Sequence, residues 1–323
     1  MIITKRELVQ LLSASGDDQE NLFRQARAAR DSRIGALTVR GVIEVTNSCR
    51  VDCTYCPMRT SNRDLKPRYL LSDDSILEQA SLIHAAGIDV VLLQGGETRA
   101  ALATVRRVLQ QIRKMFDDRV ELIVNLGTLD ADDYRTLKEL GADRYIIKFE
   151  TSDPGLHLHH RGETLDQRRQ SIGAVIDSRL SLGTGSIVGL PGQAVEAIAD
   201  DLMYAAALSP EMCSVSPFMP APGTPLAGEP PGSVDLTLNA LAALRLLLPS
   251  ADIPSVSALE QSARGSQVRG LMAGANVMTV NFSPPAKRAD YLIYGKERFI
   301  VGLDHVRASA ALAGLVVGGS RTP

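Results

Sequence analysis

The sequence predicts an α/β fold: a parallel (β/α)8 barrel of the TIM type with N-terminal helices. Three observations carry this. From residue 41 onward, apolar β-rich runs of five or six residues alternate with amphipathic helical stretches. There are eight such runs over roughly 250 residues, the usual size of one closed barrel. The chemically versatile residues cluster at or just after the ends of the runs, which is the face where barrels carry their chemistry.

Residues 4–31 have helical periodicity. Thr4 can cap a first helix, with Glu7 completing a capping box, and Leu8, Leu11 and Leu12 share a face. Ser15-Gly16-Asp17-Asp18 breaks the pattern before a second helix with Leu22, Phe23 and Ala26. These helices are expected to cover one end of the fold, as an extension over residues 1–35 ahead of a barrel spanning 36–323. The predicted strands are Val42–Thr46, Val90–Gln94, Glu121–Asn125, Arg144–Phe149, Gly183–Val188, Cys213–Pro217, Ala251–Ser255 and Asn276–Val280. Helices are expected at about 73–86, 98–116, 130–140, 164–181, 193–207, 234–247 and 260–273. Pro217–Gly232 holds six prolines and reads as a long loop on the active face.

Composition narrows the function. With 323 residues, 45% of them hydrophobic, the chain can bury a sizeable core. A formal net charge of −2 gives no global electrostatic case for nucleic acid or an anionic membrane surface. No apolar run approaches the roughly 18–20 residues of a membrane span. The first residues lack the apolar core of a signal peptide. Cysteines expected to stay reduced point to the cytoplasm.

Three of the four cysteines lie within Cys49-Arg50-Val51-Asp52-Cys53-Thr54-Tyr55-Cys56, at C-x3-C-x2-C spacing. Thiolates are soft ligands suited to iron–sulfur clusters, Zn and Cu(I). Three of them can hold three irons of a [4Fe–4S] cube and leave the fourth iron open to a cofactor or substrate. A disulfide fits poorly in a chain expected to be cytoplasmic. A structural zinc site lacks a fourth ligand nearby, since His84 sits in a helical pattern. Further on, Gln94-Gly95-Gly96-Glu97 ends the second strand, with glycines that allow close backbone approach and a carboxylate that can accept from an ammonium. Lys148 and Glu150 share a face of the fourth strand. Charges there are costly unless paired or bound to a ligand.

The cysteine loop, with Tyr55 before its last cysteine, resembles the signature of the radical S-adenosylmethionine (AdoMet) enzymes. The resemblance implies a [4Fe–4S] cluster on Cys49, Cys53 and Cys56. Its open iron chelates S-adenosyl-L-methionine and its electron cleaves the sulfonium to methionine and a 5′-deoxyadenosyl radical. It further implies that Tyr55, Gly95, Gly96 and Glu97 meet the cofactor, with Glu97 at its amino group. Glu150 would bond the ribose, Arg169 the carboxylate region, and Ile187 and Val188 the adenine. Lys148 would face the substrate as a point charge. Asn125, Thr128, Ser216, Ser257, Thr279, Asn281, Tyr291 and Tyr294 are further substrate candidates. The partners implied are a small-molecule substrate and an electron donor such as flavodoxin or ferredoxin.

The likeness is closest to the biotin-synthase-like subgroup that holds the [FeFe]-hydrogenase maturase and methylornithine synthase. It rests on stretches such as Cys56-Pro57-Met58-Arg59-Thr60-Ser61-Asn62 and Val188-Gly189-Leu190-Pro191-Gly192-Gln193. The maturase pattern has CxYCG, LRHE and YPGK where this chain has Cys56-Pro57, Ile147-Lys148-Phe149-Glu150 and Tyr294-Gly295-Lys296. Those departures argue against the maturase substrate, with action on an iron complex kept as the rival reading, and a single cluster with no added domain favours carbon–carbon bond formation or skeletal rearrangement over sulfur insertion. Cys213 stands alone and reads as a small buried hydrophobe, which argues against sulfur insertion from a second cluster. A non-catalytic iron–sulfur carrier would need no AdoMet motifs.

Overall fold

Period-2 alternation in the strands builds two apolar surfaces, and the molecule closes around both. A computed structural model describes residues 3–295 and 298–318; Lys296 lies outside them. The strands are β1 (Leu37–Thr46), β2 (Val90–Gly95), β3 (Glu121–Asn125), β4 (Arg144–Ile146), β5 (Ser181–Val188), β6 (Met212–Pro217), β7 (Val277–Asn281) and β8 (Val317–Gly318). The sheet order is β6-β5-β4-β3-β2-β1-β7, and the short β8 pairs with the start of β1. The ladders are parallel, as crossover helices require.

The predicted strand Ala251–Ser255 is present as a bridging segment, not a full ladder. Asp252 forms a parallel bridge to Met212, and Pro254 one to Val277. Cys213 N–H donates to the Asp252 carbonyl at 3.0 Å, and Asn276 N–H to that of Ile253 at 2.9 Å. Asp252 N–H donates to the Glu211 carbonyl at 2.8 Å and Ser255 N–H to that of Val277 at 2.9 Å, while Pro254 has no N–H to donate. All eight predicted runs thus take places around the barrel.

One face of each strand packs against the helices, for example Ile43, Val45, Val91, Leu93, Leu122 and Val124. The opposite face supplies Val42, Val90, Leu92, Ile123, Ile146 and Met212, a separate apolar cluster inside the barrel. The predicted helices are present, with one division: the stretch 260–273 is two helices, Ser257–Ser262 and Ser266–Met272, separated at Gly265, whose φ is +82°. An eight-residue helix, Pro154–Arg161, was not among those expected. The chain from β4 bends at Glu150, whose φ of +63° is left-handed, and rejoins the sheet by a bridge to Ser186.

The N-terminal helices are Lys5–Leu12, with the Thr4/Glu7 capping box formed, and Gly16–Asp31. Instead of capping an end, they lie along the flank, against the outer helices Val195–Leu208 and Val234–Leu247. Leu8, Leu12, Leu22, Phe23 and Ala26 are the buried residues of that contact. Arg30 reaches the Leu271 and Ala275 carbonyls at 2.6 and 3.1 Å.

Candidate active site

The cysteine loop leaves β1 and is held in shape by side chains. Asn47 donates to the carbonyls of Pro67 and Asp290 at 3.0 and 2.8 Å, and its Oδ1 accepts from Tyr69 N–H at 2.8 Å. Arg68 donates to four loop carbonyls, those of Asn47, Met58, Arg59 and Asn62, at 2.8–3.0 Å. Asp52 accepts both arms of Arg59 at 2.7 and 2.6 Å and the Ser61 hydroxyl at 2.7 Å. These bonds hold its carboxyl far below the usual carboxylate range. Backbone bonds such as Thr60 N–H to the Val51 carbonyl at 3.0 Å and Thr54 N–H to the His160 carbonyl at 2.9 Å complete the loop, and the side chains satisfy carbonyls these leave over.

Cys49, Cys53 and Cys56 are free thiols on the wall of one cavity. The Cys49 sulfur accepts from Val51 and Glu97 N–H at 3.5 and 3.4 Å. Arg161 Nη1 lies 2.8 Å from the Cys53 sulfur. Burial pushes the Cys49 thiol up, and burial together with Cys53 pushes Cys56 to about 12. Such thiols stay protonated until metal displaces the proton. Gly96 makes the seat for the loop: a Cβ there would lie 2.1 Å from the Ser48 carbonyl oxygen and 2.9 Å from Cys49 Cβ. Among the described residues no three His, Cys, Asp or Glu are grouped to hold a single ion. A cube has a different requirement, with one thiolate per iron, and three converging thiols with N–H donors at each sulfur fit it.

The cavity measures about 290 Å³ and opens at the carboxyl ends of the strands. Glu97 is buried at its edge and fully engaged. It takes Arg50 Nη2 at 2.5 Å, Arg161 Nη2 at 2.9 Å and Thr128 N–H at 2.9 Å. Its Oε2 occupies the place where a Cβ on Gly127 would sit, 2.1 Å away. Lys148 Nζ stands 3.3 Å from Glu150 Oε2, a buried oxygen with no hydrogen-bond partner. Arg40 also lines the cavity, with Nε on Thr279 Oγ1 at 2.6 Å; burial, then Arg144, lowers it to about 10. Tyr291 accepts from Gln94 Nε2 at 3.1 Å.

Of the predicted residues, Cys49, Cys53, Tyr55, Cys56, Gly95, Gly96, Glu97, Asn125, Lys148, Glu150, Ile187, Ser216, Tyr291 and Tyr294 converge on this cavity. Four do not. Arg169 points to solvent, paired with Asp166 at 3.1 Å and lying over the Tyr204 ring. The buried face of helix Leu165–Asp177 carries Arg168 instead, and Arg168 lines the cavity; the two arginines are about 100° apart on the helix. Val188 alternates away from Ile187 into the outer core. Ser257 opens the helix Ser257–Ser262 while Val256 faces the cavity. Thr279 meets the site only through Arg40. Of the remaining candidates, Thr128 sits behind Glu97, and Asn281 accepts from Ser283 N–H at 2.9 Å. Cys213 is buried in the core, where burial raises its thiol to about 12.

Sequence reasoning missed Arg161 and the helix that carries it. Asp153 caps that helix, Pro154 fills its first turn, and Gly162 ends it at φ +76°. That Asp-Pro…Gly pattern is a readable helix signal. His160 on the same helix bonds Thr54 Oγ1 at 2.8 Å and the Pro191 carbonyl at 3.2 Å, tying the cysteine loop to the turn after β5.

A parallel barrel with three thiols at the carboxyl ends of its strands defines a class. The profile of the Radical SAM superfamily matches residues 43–205. The chain belongs to the radical SAM superfamily, in its biotin-synthase-like subgroup. It is 35% identical over 278 residues to the [FeFe] hydrogenase maturase subunit HydE of Thermotoga maritima, covering 85% of this chain and 79% of that one. It is 30% identical over 240 residues to the biotin synthase of Desulforudis audaxviator, covering 71% and 70%. The crystal structure of methylornithine synthase (PylB) superimposes with a TM-score of 0.86 at 24% identity, covering 98% of this chain and 95% of that one, a likeness of fold. As a member of this superfamily the protein is an enzyme that uses a [4Fe–4S] cluster and S-adenosylmethionine, acts on a small molecule and draws its electron from a reductant. No helix among the described residues is long and apolar enough to cross a membrane.

Proposed function

We propose that Cys49, Cys53 and Cys56 hold the cluster and that the enzyme abstracts hydrogen from a small molecule enclosed in the barrel. The outcome is carbon–carbon bond formation or skeletal rearrangement in a biosynthetic pathway. The observation that carries this is the convergence of the three thiols, Glu97, Glu150 and Lys148 on one cavity of about 290 Å³. When bound, the cluster supplies one electron to AdoMet, whose cleavage yields methionine and a 5′-deoxyadenosyl radical.

The chain's own residues position and enclose. Gly95 and Gly96 let backbone approach the methionyl end of AdoMet. Glu97 accepts at its ammonium by exchanging the contact from the exposed Arg50, which otherwise holds Oε1. Glu150 Oε2, ion-paired with Lys148 but without a hydrogen bond, accepts from a ribose hydroxyl, which would satisfy a buried polar atom. Ile187 packs on the adenine, and Arg168 takes the place expected of Arg169. Lys148 offers a point charge to a substrate carboxylate or phosphate. Asn125, Ser216, Tyr291 and Tyr294 supply hydrogen bonds around it. Apolar walls from Leu92, Ile146, Met212 and Phe218 keep water from the reacting carbon. The described part of the extension, residues 3–35, braces the wall as helices. Flavodoxin or ferredoxin in the cytoplasm is the electron donor.

The test is anaerobic reconstitution with iron and sulfide, then AdoMet and dithionite, with 5′-deoxyadenosine quantified. Wild type should form it and Cys49→Ala should lose it by at least about a hundredfold, since metal ligands act as a unit. No product from a protein with an intact [4Fe–4S] spectrum and no AdoMet-dependent spectral change would sink the reading. A second reading, action on an iron complex, is favoured by the 35% identity to HydE. Conversion of such a complex, with no deuterium passing from organic substrates into 5′-deoxyadenosine, would select it.

A further inference from the structure

We propose that Arg161 sets the redox poise of the cluster, through a charged hydrogen bond to the sulfur of Cys53. The inference rests on the reading of Cys53 as a cluster ligand. Arg161 ends the helix Pro154–Arg161, and its guanidinium is buried at the wall of the cavity. Each of its nitrogens has a partner. Nη1 is 2.8 Å from Cys53 Sγ, Nη2 is 2.9 Å from Glu97 Oε2, and Nε is 3.2 Å from Glu163 Oε1. A planar fork held at three points cannot swing away from the sulfur. The two carboxylates are themselves braced, Glu97 by Arg50 at 2.5 Å and Glu163 by Arg168. Three arginines against two carboxylates leave one net positive charge beside the thiol.

Reduction of the cluster takes one electron from the donor. No bond is made or broken, and the guanidinium keeps its proton. The added negative charge is stabilised by N–H groups aimed at the ligating sulfurs, which is one of the ways a protein moves such a potential. The other sulfurs take neutral backbone donors: Val51 and Glu97 N–H at 3.5 and 3.4 Å from Cys49, and Met58 N–H at Cys56. A charged donor at 2.8 Å is about twice as strong as a neutral one. Arg161 is therefore the dominant donor at the cysteine loop, and it makes the cluster easier to reduce. It is a positioning residue for Glu97 as well, because the same guanidinium bonds both.

The experiment is a potentiometric titration followed by electron paramagnetic resonance. It uses reconstituted full-length wild type, Arg161→Gln and Arg161→Lys without AdoMet. Iron content and circular dichroism are measured on each sample. We expect the Arg161→Gln cluster to be about tenfold less reduced at a given donor ratio, which is about 59 mV more negative for a one-electron couple. Arg161→Lys, which keeps the charge but not the fork, should fall between. A fully loaded Arg161→Gln at the wild-type potential would overturn the proposal. If that variant loads no cluster, an unshifted Arg161→Lys overturns it equally. Failure of both folded variants to hold iron would also overturn it, leaving Arg161 a structural support of the loop. A wild type that loads no [4Fe–4S] cluster would remove the ligand assignment itself, a distinct result.

Discussion

Asp201 contacts no part of the cavity, yet it fixes two residues that do. It is buried and accepts from Ser152 N–H, from the hydroxyls of Ser152 and Thr151 at 2.6 and 3.2 Å, and from Gln193 Nε2 at 2.9 Å. Gln193 in turn accepts from Gly189 and Leu190 N–H at 2.7 and 3.2 Å and donates to the Ile187 carbonyl at 3.0 Å. The chain ends that carry Glu150 and Ile187 are thus joined. Burial raises Asp201 to about 6 in spite of its four donors. A carboxyl raised in the folded state adds stability that is complete below about pH 4 and is lost as pH rises through about 6. The rise from the ordinary carboxylate range to about 6 corresponds to about 3 kcal/mol. Urea unfolding at pH 4 and pH 7 should therefore show wild type losing up to about 3 kcal/mol relative to Asp201→Asn over that range. Equal pH slopes for the two proteins would count against a buried, raised carboxyl. At this scale the cysteines were legible because thiols are scarce and chemically unlike anything else in the chain. Arg161 was not, because its partners Cys53 and Glu97 are 108 and 64 residues away.

At the scale of elements, the helices and strands followed from periodicity, but their phase did not always. The choice between Arg168 and Arg169 depends on where the helix Leu165–Asp177 turns its apolar stripe, and Leu165, Ile172 and Val175 place Arg168 on it. The β2 turn is defined as closely. Gly96→Ala would drive a methyl into the backbone of the cysteine loop, 2.1 Å from the Ser48 oxygen. Overpacking of this kind costs about 1–3 kcal/mol, and here the loop is the part that can give way. The variant should keep its far-UV circular dichroism and bind less iron after reconstitution. Full iron loading would mean that the seat can shift without cost to the site.

At the scale of the whole molecule, the chain after β7 is tied back to β1 beside the site. Arg298 makes a two-armed pair with Glu44 of β1 at 2.5 and 2.6 Å, and both side chains are almost fully buried. Ser283 Oγ also bonds Glu44, at 3.1 Å, and Arg298 lies over the Tyr291 ring. This clamp sets Tyr291 and Tyr294 against the cavity. Arg298→Met leaves the Glu44 carboxylate buried without its partner, which costs about 3–5 kcal/mol. Chemical denaturation should read that loss. A loss under about 1 kcal/mol would mean that water reaches Glu44 and that the tie is looser than its contacts imply.

The sequence by itself determined the class of fold, the alternation of its elements and the three thiols. Each of these is local: a period of two or 3.6, or a spacing of three and four residues, is set by backbone geometry alone. Tertiary structure alone decided which polar residues share the cavity. Val188 and Arg169 turn away from it, Arg168 and Arg161 turn toward it, and Arg40 joins it from the strand below. Those outcomes depend on the register of one strand on the next and on the burial of charges that pair only across the barrel. No window of the chain contains that information.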